Sequence, residues 1–357
     1  MRINIRARLG AWSFILLFSL TSMLRAQSYA LIDIGALPGG NTVATKINLS
    51  GQAVGQSGKM YGVQTHAFIL TSGRLIDLGT LPGGEYSSAF DVNTTGTIVG
   101  ESNTASNIHA FIWDTAGGMR DLGTLPGDKG SRAFGINDSN QVVGYSSGPN
   151  GLTAFLWTKD AGMTSLGTLP GGDSSEASDI NIGGSIVGVA STSSGDKHAV
   201  LWTATGSIHD LGTLPGDITS AASRINSSGS VIGSSIGPKV THAFLWTPNG
   251  GMQNLGTLGG DSSSALDLNN KGEVVGTSVA AMGGHAFYWS SSTGMQDLNA
   301  LIPSGSGVTL TSAIGINNNG RILALGAVTT DRSQPLQLDD THHHAGPIHA
   351  FLLTPLN

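Results

Sequence analysis

Imidazole and carboxylate side chains crowd one stretch of the sequence. Asp339, Asp340, His342, His343 and His344 all fall within residues 329–347. These are ordinary ligands for transition-metal ions, which makes Asp339, His342, His343 and His344 the metal candidates of the chain. Adjacent residues on a rigid strand cannot all converge on one ion, so a polar loop that takes up metal incidentally is the competing expectation. A second acidic set, Glu85, Asp128, Asp173, Asp217 and Asp261, stands among serines at matching places in the chain. These five are the ligand-binding candidates, against a bland reading as solvated turn residues. Asp91, Asp179 and Asp267 each open an Asp-x-Asn-x-x-Gly segment with a faint likeness to a calcium loop. A full EF-hand loop needs more carboxylates and a Glu at position 12, and a tight turn explains the Asn and Gly without any ion. Glu85, Glu101, Glu176 and Glu273 leave a glycosidase-like carboxylate pair open. No Ser-His-Asp, metal-hydrolase or nucleotide motif is present. No catalytic residue is therefore named, and no cofactor is expected.

The elements that must hold these residues repeat. A segment like Asp-Leu-Gly-x-Leu begins at Asp33, Asp77, Asp121, Ser165, Asp210, Asn254 and Asp297, in steps of 43 to 45 residues. An Ile-Asn-like pair ends at Asn48, Asn93, Asn137, Asn181, Asn226, Asn269 and Asn317. A Val-Gly-like pair ends at Gly55, Gly100, Gly144, Gly188, Gly233 and Gly276, with Ala324 in the last copy. A His-Ala-Phe-like segment begins at His66, His109, Thr153, His198, His242, His285 and His349. Periods of this size signify repeat architectures. Each landmark reads as a short strand, lettered A (Ile-Asn), B (Val-Val-Gly), C (His-Ala-Phe-x-Trp) and D (Asp-Leu-Gly). Three residues after the Asn stand Gly51, Gly96, Asn140, Gly184, Gly229, Gly272 and Gly320, the choice a left-handed turn position makes. Leu-Pro-Gly after strand D fits a type II turn. Strand C is apolar on both faces, so it must be covered on both sides. A catalytic residue is needed once, so the repeated histidines read as architecture: each bonds a neighbouring backbone group and fills the space between sheets. Trp113, Trp157, Trp202, Trp246 and Trp289 are expected in the core.

The two ends decide between architectures. The first landmark is a D strand and the last a C strand, leaving six whole units and one unit split between the termini. Pairing the leftover D with the final C completes a ring and removes two sheet edges. A solenoid would carry capping repeats, and an outer-membrane barrel would carry longer alternating strands. The fold expected is all-β: a seven-bladed β-propeller with four-stranded blades, closed by the N-terminal strand on the C-terminal blade.

Glycine supplies 53 of the 357 residues and charged residues only 11%, a composition of turns and short strands. The net charge of −6 argues against a nucleic-acid partner. Arg2, Arg6 and Arg8 precede a short apolar run over residues 9–20, the pattern of a signal peptide over residues 1–26. The run is too short for a transmembrane span, which needs about 20 residues. The single domain over residues 27–357 is then expected to be secreted or extracellular, with periplasm or cell surface as the other stations, and monomeric. There is no Cys, which excludes disulfides and a lipidated N-terminal cysteine.

The unit from His242 to Ser278, HAFLWTPNGGMQNLGTLGGDSSSALDLNNKGEVVGTS, resembles the HAF repeat of bacterial extracellular repeat proteins. The resemblance spans nearly all of the expected mature chain. The copies depart at Thr153, at Val200, and at Leu70 and Leu353 in place of Trp. It implies an extracellular location and no particular activity. The function expected is a non-enzymatic binding or scaffold module that uses its loop-rich face on a glycan, protein or surface polymer. The alternative is a carbohydrate-active hydrolase or lyase on the same scaffold.

Overall fold

The computed structural model describes residues 28–34, 41–58, 65–281, 283–328 and 348–356. They form seven four-stranded antiparallel sheets. Strand A of each blade touches strand A of the next, and that of blade 7 touches that of blade 1, so the ring is closed around its innermost strands. Those strands are Asn41–Ile47, Ser87–Val92, Gly130–Ile136, Ser175–Ile180, Thr219–Ile225, Ser263–Leu268 and Val308–Ile316. Blade 7 takes its outer strand, Ser28–Asp33, from the other end of the chain. That strand pairs antiparallel with Ile348–Leu356, from Ser28 opposite Leu356 to Asp33 opposite Phe351. The expected strand exchange is therefore present. No helix among the described residues is long and apolar enough to cross a membrane.

The core lies between blades. Val54, Ala67 and Ile69 of blade 1, for example, pack against Ala89, Val92, Ile98 and Phe111 of blade 2. The strand C phenylalanines Phe68, Phe111, Phe155, Phe244, Phe287 and Phe351 are fully buried or nearly so. Each blade thus covers one face of its neighbour, the cover that a two-sided apolar strand requires. The tryptophans divide. Trp202 and Trp289 are buried, whereas Trp113, Trp157 and Trp246 are only half-buried at the edges of these layers. The expectation of a uniform tryptophan core is corrected to that extent.

Both repeated turns have the expected backbone. The residue three after each Asn has φ between +57° at Asn140 and +83° at Gly96. In the Leu-Pro-Gly turns the fourth residue donates its N–H to the leucine carbonyl, as Asp128 does to Leu125 at 3.0 Å.

The Val-Gly glycines have a different cause. Strand A of blades 1–6 carries a bulge just before the Ile-Asn pair, as between Ala177 and Asp179. The bulged backbone leans onto strand B at that glycine. A Cβ on Gly55, Gly100, Gly144, Gly188, Gly233 or Gly276 would lie 1.9 to 2.1 Å from a strand A carbonyl oxygen. Blade 7 has a second bulge, between Leu310 and Ser312. There the close approach moves to Gly326, whose Cβ would meet the Thr309 carbonyl at 2.5 Å, and the usual position accepts Ala324.

Candidate functional site

The repeated asparagine is more than a turn residue. Each Oδ1 accepts the backbone N–H four residues on, that of Gln52, Thr97, Gln141, Ser185, Ser230, Glu273 or Arg321. Each Nδ2 donates to the backbone carbonyl of the asparagine in the next blade, at 2.9 to 3.2 Å. The seventh bond runs from Asn317 back to Asn48. Seven buried amides form one closed hydrogen-bonded ring around the axis, at the A–B turn end of the channel. A cavity of about 320 Å³ opens there.

Two residues before each asparagine, inside the channel, stand Lys46, Asp91, Gly135, Asp179, Arg224, Asp267 and Gly315. Asp91, Asp179 and Asp267 belong to the segments that resemble calcium loops. Each Oδ2 accepts a backbone N–H of the following blade, from Ile136 at 2.9 Å, Ile225 at 2.9 Å and Ile316 at 2.7 Å respectively. Oδ1 of Asp91 and of Asp179 accepts the next N–H of its own strand. Oδ1 of Asp267 accepts from Lys46 Nζ at 2.7 Å. One carboxylate thus serves N–H groups on two blades. Burial beside these other charges pushes Asp179 up to about 6, with Arg224 and Lys46 opposing and Asp91 reinforcing the shift. These acids stitch the blades together.

The histidines at the head of strand C do not bond backbone, contrary to expectation. Nδ1 meets an aspartate on strand D in five blades: His66–Asp77, His109–Asp121, His198–Asp210, His285–Asp297 and His349–Asp33, at 2.6 to 2.9 Å. The pairs are partly exposed on the outer side of the blades. The backbone route is closed because strand C is already laddered on both sides. Where the aspartate is replaced by Asn254, His242 drifts to 3.7 Å from Asp217; where the histidine is replaced by Thr153, its opposite number is Ser165. The His349–Asp33 pair ties the two chain ends together.

The five loop acids are spread around the ring on the D–A face and are not gathered at one point. Asp173 accepts from Ser191 Oγ at 3.0 Å, and the Asp128 and Asp217 amides close the Leu-Pro-Gly turns. Glu85 and Asp261 are exposed. Asp339, His342, His343 and His344 lie outside the described residues, as do residues 1–27. Among the described residues, no three His, Asp or Glu side chains are grouped to hold a metal ion.

A different group is brought together, at the inner edge of blades 1–4 on the D–A side. Tyr86 Oη donates to Glu101 Oε1 at 2.9 Å and lies 3.4 Å from Gln56 Oε1. Arg132 Nε is 2.6 Å from Glu101 Oε2. Glu101 is buried, and this Oε2 accepts no aligned hydrogen bond among the described residues. Glu176 of blade 4 pairs with Lys197 at 3.2 Å. Phe90, Phe134 and Tyr145 run alongside, with ring centroids 5.3 and 5.6 Å apart in tilted contact. Burial, and then the Glu101 carboxylate, push the Tyr86 hydroxyl up to about 12. Burial likewise raises Tyr145.

These positions depart from the repeat. Where blades 2–4 carry Ser88, Arg132 and Glu176, blades 5–7 carry Ala221, Ser264 and Ser312. Where blades 1–3 carry Gln56, Glu101 and Tyr145, blades 5–7 carry Ser234, Thr277 and Leu325. The charged and aromatic side chains of these two columns thus fall on blades 2–4, flanked by Val43 and Val189, and the opposite arc is small or aliphatic. Glu101 and Glu176 stand out in the sequence as carboxylates, but their grouping with Tyr86 and Arg132 does not. The signal was there: neighbouring copies departing from the consensus at the same columns.

No family model matches the chain, and no curated protein matches it. Solved structures share its architecture. A streptogramin B lyase structure superposes at a TM-score of 0.55 with 13% identity, over 92% of this chain and 98% of that one. A prolyl endopeptidase matches at 0.53 with 9% identity, over 84% of this chain and 46% of its own. The Pyrococcus horikoshii acylaminoacyl peptidase matches at 0.50 with 11% identity, over 81% and 49%. The chain spans about half the length of these two peptidases. At such identities the likeness is one of fold: this chain is a seven-bladed β-propeller.

Proposed function

We propose that the protein is an exported, non-enzymatic binding module of the HAF-repeat kind, which takes its ligand at the inner rim of blades 1–4. The observation that carries this reading is the asymmetry of the rim. A scaffold needs the same residues in every blade, and the asparagine ring, the glycines and the buried phenylalanines meet that need. Tyr86, Glu101, Arg132 and Tyr145 meet no such need, yet they are held together on a rigid frame, the usual arrangement of a binding surface. The electrostatics favour binding over hydrolysis. Tyr86, pushed up to about 12, stays protonated at neutral pH and is a poor nucleophile. Glu101 is engaged by Tyr86 and Arg132, and Glu176 by Lys197, so neither stands free as a general acid or base.

A pull-down of surface polysaccharides and a glycan array, run with the wild type and with a Glu101→Ala/Arg132→Ala double variant, tests the reading. Retention by the wild type and loss by the double variant at unchanged melting temperature is expected. Equal retention by both refutes the site. Release of shortened products during incubation refutes the non-enzymatic reading.

A further inference from the structure

We infer that the ligand of this rim is a neutral saccharide chain, bound with a pyranose face on the strip of rings formed by Phe90, Phe134 and Tyr145 and with hydroxyls on Arg132, which Glu101 holds in place. The inference rests on the reading above and adds the chemical class of the ligand.

Three observations lead to it. The first is charge. The rim's ionised groups come as compensated pairs, Glu101 with Arg132 at 2.6 Å and Glu176 with Lys197 at 3.2 Å. A phosphate or uronate would be favoured by unpaired cations, and a basic peptide by free carboxylates. Compensated pairs favour neither. They do present acceptors and donors side by side, and a hydroxyl, being both donor and acceptor, matches such a surface. Arg132, more than a third exposed, has guanidinium N–H groups to direct outward, and the buried Glu101 behind it holds the guanidinium in place at 2.6 Å.

The second is the aromatic strip. Phe90, Phe134 and Tyr145 are partly exposed, and their centroids are spaced at 5.3 and 5.6 Å. An apolar platform beside polar pairs fits a ring whose faces are C–H and whose edges are O–H. A purely polar ligand would leave the platform unused, and a purely apolar one would desolvate the Arg132 guanidinium without replacing its hydrogen bonds to water.

The third disfavours an extended peptide. Peptides commonly dock by adding a strand to an open sheet edge. Strand A is the inner edge of every blade, and several of its polar groups are already taken. Thr45 Oγ1 and Ser223 Oγ donate to the Ala89 and Ala265 carbonyls of the next blade, and the channel aspartates and the asparagine ring occupy other backbone groups. Little edge remains for a strand to join.

The test is titration calorimetry on the purified protein with four neutral hexaoses, of glucose, galactose, mannose and N-acetylglucosamine. A galacturonate hexamer and an unstructured neutral peptide serve as the other arms. Binding of at least one neutral hexaose is expected. Glu101→Gln, which weakens the hold on the Arg132 guanidinium, should weaken it roughly ten- to a hundredfold, the scale of an interaction with a charged group, and Phe134→Leu about two- to tenfold through the lost ring face. Ser264→Ala, on the opposite arc, should leave affinity unchanged. If Phe134→Leu does not fold, Tyr145→Ala replaces it. Binding of galacturonate or peptide in place of every neutral hexaose, lost in Glu101→Gln, overturns the ligand class and leaves the site standing. Hexaose binding insensitive to Glu101→Gln and to the aromatic variants overturns the site itself. Absence of binding in all arms overturns the inference.

Discussion

Replacing Asn137 by Ala breaks the asparagine ring at one link. Asn137 Oδ1 accepts the amides of Ser139 at 3.0 Å and Gln141 at 3.1 Å, and Nδ2 donates to the Asn181 carbonyl at 3.1 Å and to Gln141 Oε1 at 2.7 Å. Truncation leaves two backbone N–H groups and one carbonyl without their partner. The Gln141 side chain can turn to water at the channel mouth, so it is not counted. Three net hydrogen bonds at about 1 kcal/mol each give a loss of about 3 kcal/mol. Asn137→Asp separates the two halves of the role. It keeps both acceptor bonds within the turn but sets an oxygen against the Asn181 carbonyl and Gln141 Oε1, and it should cost about 2 kcal/mol or more. Chemical denaturation followed by tryptophan fluorescence, with the m-value unchanged, reads both numbers. A loss below about 0.5 kcal/mol in Asn137→Ala would sink the idea that the ring matters to stability. An Asn137→Asp variant as stable as wild type would assign the whole effect to the turn. If the ring works as a closed unit, adding Asn317→Ala to Asn137→Ala should cost less than Asn317→Ala alone, although the two sites are far apart.

Gly188→Ala would put a methyl 2.0 Å from the Glu176 carbonyl oxygen and 2.9 Å from the Ala177 Cα, forcing strands A and B of blade 4 apart; a cost of about 3 kcal/mol is expected, and a thermal shift of less than a degree refutes the close-approach account. Tyr29, on the closing strand, is fully buried, and its hydroxyl has no partner among the described residues. Tyr29→Phe should therefore be neutral or stabilising, whereas Tyr29→Ala should cost about 3–5 kcal/mol; a strongly destabilised Tyr29→Phe would show that the hydroxyl is bonded in solution. Asp179, raised from 3.8 to about 6 by burial, holds its proton more tightly folded than unfolded. Its stabilising contribution is complete below about pH 4 and is lost as pH rises through about 6. The stability of wild type minus that of Asp179→Asn should fall between pH 4 and pH 7, and a flat difference across that range refutes the shift.

Much of the frame was legible because each blade states the same rule. The phase of the repeat placed Tyr29 and His349 in one sheet although they lie at opposite ends of the chain, and the glycine column with its one asparagine disclosed the left-handed turn at Asn140. What remained hidden lay between blades. Asn137 looks like a turn residue because its Oδ1 bonds are local; its Nδ2 bond to blade 4 leaves no local mark. Gly144 looks like another turn glycine, although its role is set by a bulge across the strand pair. The aspartate partner of His109 sits twelve residues on, and only the strand register brings the two side chains together. The rim was obscured for the opposite reason. Averaging the copies into a consensus discards the departures at Glu101, Arg132 and Tyr145, which are the residues of interest.

The channel acids carry a consequence of parity. An Asp on one blade serves an amide of the next, so acids are wanted on alternate blades, and they stand on blades 2, 4 and 6. An even ring could alternate without a fault. A seven-membered ring cannot, and two acid-free neighbours must meet somewhere. They meet at blades 7 and 1, where the chain closes, and there Lys46 reaches past blade 7 to Asp267. The closure is thus a dislocation in a two-blade pattern, healed by a cation. A ring enlarged by two blades would inherit the fault. A ring enlarged by one acid-bearing blade between blades 7 and 1 would abolish it and leave Lys46 without an assignment.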